Sequence, residues 1–253
     1  MRLWLLAILL ILQGELGARE VRYPAGLYTG NPAQFQMLDQ RAVNTTPEQE
    51  ASLAGLTHYL TAPAQSELQK VRVIWKWITT HIAYDVEGYP KKNRPMITKA
   101  SEAFHQRIAV CGGYANLFKA MADMAGVEAR VITGKTKLDV GQLWAIGHAW
   151  NAVRIDGYWY LLDATGGAGT VLDFYHPDKA RYTFRYEEYW FLPHPKYMAF
   201  SHAPEDPDWQ LLKDPVLPYD FLYFPLIRPE FGRLGLWFAA KPSGQIHIKP
   251  DQT

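Results

Sequence analysis

The stretch "AVCGGYANLFKAM", residues 109–121, holds the single cysteine of the chain, Cys111. A thiol acts as a nucleophile only when it is ionised and within reach of a substrate. Cys111 stands where a helix is expected to begin. Ala115, Phe118, Met121, Ala122 and Ala125 follow it at helical spacing, and Gly126 is a natural stop. The positive end of a helix dipole at that point favours a thiolate. Gly112 and Gly113 are expected to leave the backbone beside the sulfur uncluttered, so that a carbonyl can approach closely. With no second cysteine there is no internal disulfide. In an exported chain such a thiol is either a buried bystander or a reactive group.

The chain has eight histidines, and a hairpin gives a geometric reason to choose one. "HAWNAVRIDGYWYLLDAT" reads as two strands around Asp156-Gly157, a preferred two-residue turn. Counting outward, Ile155 faces Tyr158, Trp150 faces Asp163 and His148 faces Thr165. His148, Trp150 and Asp163 then project from one face. His148 and Asp163 become diagonal neighbours, roughly 7–8 Å apart at the backbone and within side-chain reach. That suits a Cys-His-Asp triad. The imidazole takes the thiol proton and later protonates a leaving amine, while the carboxylate orients the ring and favours its charged form. The helix that begins at Cys111 must pack on this face. The oxyanion donors are expected to be the Cys111 N–H and one side chain; Trp75, Trp77, Tyr84 and Gln106 lie upstream, and spacing does not choose among them. The other histidines, His58, His81, His105, His176, His194, His202 and His247, show no metal-ligand spacing with one another or with cysteine. No metal or other cofactor is expected, and no acidic calcium loop is present in the sequence.

Several elements must position these residues. "SELQKVRVIWKWITTHIAYD" predicts a helix with capping-box spacing at Ser66 and Gln69, and with Leu68, Val71, Ile74, Trp75, Ile78 and Ile82 on one face. Residues 47–60 are weakly helical, and a short helix is expected over 101–104. "VEARVITG" reads as a strand, as does "RYTFRYEEYWFL", whose Tyr182, Phe184 and Tyr186 would share a half-buried face. Residues 19–46 read as an irregular arm rich in Pro, Gly and Asn. The prolines of 203–225 mark a boundary, after which the tail has strand-like pieces.

With 253 residues, 48% of them hydrophobic and 20% charged, the chain is globular in balance. A net charge of +1 gives no electrostatic case for nucleic acid or for an acidic membrane surface. At the N-terminus, Arg2 precedes an apolar run from Leu3 to Leu12, with small residues at Gly14, Gly17 and Ala18. The run is too short to span a bilayer and fits a secretory signal removed near Ala18. A secreted or periplasmic location is expected, with membrane attachment only if the segment stays uncleaved.

"VCGGYANLFKAMADMAGVEARVITG" followed by "GHAWNAVRIDGYWYLLDAT" resembles the transglutaminase-like cysteine superfamily, and "WFLPHPKYMAFSHAPEDPDWQLL" is similar to its kyphoscoliosis-peptidase branch. The resemblance covers roughly residues 70–212. It implies Cys111 as nucleophile, His148 as base and Asp163 as orienting acid. It also implies an α+β fold: a papain-like core of helices packed on an antiparallel β-sheet, with a small β-rich C-terminal appendage. The expected organisation is a signal peptide over 1–18, the arm over 19–46, the transglutaminase-like domain over 47–202 and the extension over 203–253. Members of the branch often carry tryptophan just after Asp-x-Thr; here Gly166 stands there, and the glycines of "DATGGAG" are expected to loosen that turn. The implied activity is on protein or peptide amide bonds through an acyl-enzyme, with hydrolysis favoured over transamidation. The competing reading is a catalytically silent scaffold on the same fold.

Overall fold

Ser66 accepts a hydrogen bond from the Gln69 amide and starts helix α3, Glu67–His81. The Gln69 side chain reaches back one residue further than a capping box would, to the Gln65 N–H at 2.7 Å. In the computed structural model, which describes residues 32–137 and 145–236, α3 lies at the centre of the helical layer. The single apolar face expected from spacing is buried. So are Arg72, Val73, Trp77 and Thr79 on other faces. The reason is that α3 is wrapped on several sides, by α1 (Gln36–Val43), α2 (Leu53–Thr61), α5 (Cys111–Met124) and the short α6 (Ala164–Ala168).

Of the arm expected to be irregular over 19–46, residues 19–31 lie outside the described residues, and in the rest helix α1 corrects the expectation. It buries Leu38 and Ala42, and the Asp39 carboxylate grips the buried Arg72 guanidinium at 2.7 and 2.6 Å. Arg72 also bonds Glu188 and, at 3.2 Å, the Tyr186 hydroxyl. A short segment of modest propensity is thus held by tertiary contacts rather than by its own sequence.

The main sheet has four strands in the order β5-β4-β3-β8, all antiparallel: β3 is Ala129–Thr136, β4 Ile146–Ile155, β5 Tyr158–Leu162 and β8 His202–Pro204. The hairpin register is as counted from Ile155 opposite Tyr158 to Asn151 opposite Leu162, where the pairing stops; Asp163 and Thr165, expected opposite Trp150 and His148, belong to the start of a helix instead. Asp156 and Gly157 both take positive φ, 49° and 87°, as this turn requires. Helix α5 packs on β3 and β4, and the buried Asn151 amide donates to Ala115 O and Arg130 O at 3.0 and 3.2 Å, tying helix to sheet. Two small sheets border this core: β1 (Ala83–Tyr84) pairs in parallel with β2 (Ile108–Ala109), and β6 (Gly169–Leu172) pairs with β7 (Arg181–Phe184). Helix α4, Ala100–Gln106, precedes β2.

The strand expected over 181–192 ends at Phe184. Glu187 caps a single 3₁₀ turn, Glu188–Trp190, by accepting from Tyr189 N. Phe184 is exposed, whereas Tyr186 packs edge-on against Trp75, so the three aromatics do not share one environment. Helix α7, Pro195–Met198, leads into β8. Beyond it the described part of the extension is helical rather than β-rich: a 3₁₀ turn at Pro207–Gln210, then α8, Pro218–Tyr223, and α9, Pro229–Arg233. A proline opens each, its φ preset for a first helical turn. The segment read as a signal peptide and the strand-like tail after residue 236 lie outside the described residues. Among the described residues no helix is long and apolar enough to cross a membrane.

Candidate active site

Cys111 is the first residue of α5 and is partly buried. Val110 precedes it in extended conformation and offers no side-chain cap. A helix start carries the positive end of the helix dipole, which favours a thiolate there; the Gly113 and Tyr114 N–H groups both donate to Val110 O. The two glycines have different reasons. A Cβ on Gly113 would meet Ile97 O and Ala109 Cβ, each at 2.6 Å, so only glycine lets the helix start pack there. At Gly112 the nearest atom would be Thr98 Cγ2 at 3.6 Å, which is ordinary contact.

His148 projects from β4, and its Nε2 donates to Asp163 Oδ2 at 2.9 Å, the diagonal contact expected from the hairpin. The ring and the Cys111 thiol influence each other's ionisation. With Nε2 taken by Asp163, Nδ1 is the ring nitrogen left to act on the sulfur. Asp163 follows β5 directly and N-caps α6: its Oδ1 accepts from Thr165 N at 2.9 Å and Gly166 N at 3.1 Å. The glycines after it do not loosen the turn. They form the first turns of α6 and pack closely, a Cβ on Gly167 meeting Trp75 at 2.6 Å and one on Gly166 meeting Trp190 at 2.9 Å. Trp190 arrives from the later 3₁₀ turn and lies against Gly166.

The charges are coupled. Burial pushes the Cys111 thiol up, but the hydrogen bond and charge of His148 and the Ala149 N–H bring it below its ordinary value. Burial opposes a charged His148, yet the charge and hydrogen bond of Asp163, together with the thiolate, push it up to about 10. Burial likewise opposes an ionised Asp163, and His148 and His202 hold it well below the usual carboxylate range. All three directions favour a thiolate beside an imidazolium.

His202 was not legible as a site residue. It lies 39 positions beyond Asp163, and β8 brings it in by pairing with β3, where His202 stands opposite Thr136. Its Nε2 reaches the same Asp163 Oδ2 at 3.2 Å. The ligand atoms of His148, Asp163 and His202 lie within 4.8 Å of one another, a set that could hold a metal ion. The 2.9 and 3.2 Å separations are those of N–H···O hydrogen bonds, so two protons already satisfy this oxygen.

A cavity of about 560 Å³ opens on the site, lined by Tyr84, His148, Asp163, Tyr182, Trp190 and His202 among others. Of the four upstream donors considered, Tyr84 interacts electrostatically with Cys111, and burial keeps its phenol protonated. Trp77 donates instead to Thr45 Oγ1 and Glu50 Oε1.

A helix opening at cysteine, packed on a hairpin that carries histidine and aspartate, is the arrangement of a known class. Residues 54–164 match the family model of the transglutaminase-like superfamily, and the chain carries a domain of that superfamily. Over 217 residues it is 38% identical to the kyphoscoliosis peptidase of Mus musculus, covering 84% of this chain and 32% of that protein. Against the kyphoscoliosis peptidase of Homo sapiens it is 36% identical over 187 residues, covering 72% of this chain and 27% of the other. This chain therefore spans about a third or less of these relatives. The solved structure of a TGase is similar over 55% of this chain and 38% of its own, at 22% identity and a TM-score of 0.37.

Proposed function

We propose that this protein is an exported thiol enzyme that cleaves amide bonds of proteins or peptides through an acyl-enzyme on Cys111. The observation that supports the reading is the His148–Asp163 hydrogen bond at 2.9 Å, with Cys111 at the start of α5 and its thiol lowered by His148. The Cys111 thiolate attacks the carbonyl carbon. The oxyanion that forms is met by the Cys111 N–H at the start of α5, with the Tyr84 O–H as side-chain donor. As the C–N bond breaks, His148 gives its proton to the leaving amine. Water then attacks the thioester, His148 takes its proton, and the carboxylate is released with the thiol restored. Asp163 holds the ring and stays ionised throughout. An amine in place of water would give transamidation. Hydrolysis is favoured because the similar proteins of mouse and human are named peptidases. Export rests on Arg2 and the apolar run from Leu3 to Leu12, and N-terminal sequencing of the mature protein tests it.

The test of the chemistry is incubation with a peptide library, scoring both cleaved and cross-linked products. Cys111→Ala and His148→Ala should each abolish turnover, and the double variant should be no worse than either. Asp163→Asn should lower turnover by roughly 10³–10⁴-fold and leave a residue of activity. Wild-type turnover by Cys111→Ala would establish the scaffold reading instead.

A further inference from the structure

Asp163 has one neighbour that the proposed chemistry does not use. His202 is fully enclosed, with the Trp150 and Trp190 rings edge-on to it at centroid distances of 5.0 and 5.1 Å. Its two nitrogens are both engaged, Nε2 with Asp163 Oδ2 at 3.2 Å and Nδ1 with Ser201 Oγ at 2.8 Å. An ionised carboxylate only accepts, so His202 must carry its proton on Nε2. Nδ1 of the neutral ring then accepts from the Ser201 hydroxyl, whose alternative acceptor, Met198 O, is further away at 3.3 Å. Burial and the nearby His148 charge both oppose protonation of His202.

The carboxylate is thereby fixed at both oxygens. The N–H groups of Thr165 and Gly166 hold Oδ1, and His148 and His202 share Oδ2. Asp163 lines the cavity, whose water would compete for the carboxylate if His202 offered no proton. We infer that His202 is a positioning residue, a neutral N–H donor that clamps Asp163 so that His148 meets a fixed acceptor while it pairs with Cys111. This deepens the thiol-enzyme reading and rests on it. It also gives the segment beyond the family-matched span a part in the site, since β8 exists to the extent that it pairs with β3.

Two substitutions separate donation from packing. His202→Gln places an amide N–H near the position of Nε2 but removes the ring. His202→Phe keeps a ring between the two tryptophans but removes the donor. The readout is the rate of Cys111 alkylation by iodoacetamide against pH, with folding checked by thermal melting. His202→Phe should alkylate roughly tenfold more slowly at mildly acidic pH, its profile displaced toward that of a free thiol, while His202→Gln should lose no more than about threefold. The reverse order, or a wild-type profile for His202→Phe, overturns the inference. A free-thiol profile in the wild type itself would instead refute the triad and is read separately. Should His202→Phe fail to fold, ¹⁵N NMR of the wild-type imidazoles decides: His202 must be the neutral ring with hydrogen on Nε2, and hydrogen on Nδ1 alone excludes donation to Asp163.

Discussion

Thiol and imidazole pull each other apart in charge, and this sets the pH range of the site. His148 is pushed up to about 10, so its imidazolium persists across neutral pH, while the thiol lies below its ordinary value. The pair forms as pH rises through the lowered thiol value and is lost as pH rises through about 10. Turnover should therefore be bell-shaped, with its alkaline limb far above the roughly 6.5 of a free histidine. An alkaline limb near neutrality would contradict the coupling. Tyr84 makes a second residue-scale prediction. Its phenol stays neutral and lines the cavity, and the proposed chemistry makes it the oxyanion's side-chain donor, so Tyr84→Phe should lower kcat by roughly 10²–10³-fold while leaving the alkylation profile of Cys111 nearly unchanged. The placement of Cys111 at a helix start and of His148 beside Asp163 was legible, because helical spacing fixes the one and a two-residue turn fixes the register of the other. It missed His202 because no local pattern links a residue to a partner strand in a distant, proline-rich segment.

Element-scale behaviour turns on how α5 and α3 are seated. Gly113 faces the Ile97 carbonyl, which is backbone and cannot move aside cheaply, whereas Gly112 faces open contact. Gly113→Ala should cost about 1–3 kcal/mol by overpacking, and should slow alkylation by shifting the residue that carries the thiol. Gly112→Ala should be neutral or stabilising by up to about 1 kcal/mol, through helix propensity. Urea unfolding distinguishes the two, and equal effects would mean that the helix start tolerates displacement. Arg72 links α3 to α1 and to the 3₁₀ turn carrying Trp190. Its fully buried guanidinium meets Asp39 and Glu188, which are themselves only partly exposed. Arg72→Ala removes a fully buried charge that two part-buried carboxylates share, leaving Asp39 with Lys76 at 3.9 Å and Glu188 with the Tyr186 O–H, and should destabilise by roughly 3–5 kcal/mol, measured as a fall in urea midpoint at unchanged m-value. The amphipathic stripe of α3 was legible from spacing. The all-round burial was not, because α1 is short and depends on a charge pair that no propensity scale registers.

At the scale of the whole molecule, the family-matched span and the folded unit differ in extent. The match ends at residue 164, yet the sheet is completed by β8, and a second apolar cluster joins Ile132, Trp150 and Leu161 to Met198 and Leu211. Trp159 and Trp209 meet edge-on at 5.1 Å, and Gln210 holds Val216 through two hydrogen bonds at 2.7 and 2.8 Å. Beyond that point the contacts change character. The buried ammonium of Lys137 donates to Phe224 O at 2.7 Å, and residues 226–230 form one wall of the cavity. A chain cut after residue 164 should lose cooperative unfolding, because β3 is left as an open edge and the second cluster loses Met198 and Leu211. Ending instead after Val216 should preserve a single cooperative melt and the lowered alkylation profile of Cys111, since α5, the hairpin and His202 are all retained. It should also free Lys137 from Phe224 and widen the cavity. Lys137 is pushed down to about 8 by burial alone, so in the shortened chain its reactivity toward acylating reagents near pH 7 should fall as its value returns toward that of a free lysine. A chain ending at 216 that melts broadly, or whose Cys111 alkylates like a free thiol, would show that residues 217–236 belong to the folding unit and do more than wall the cleft.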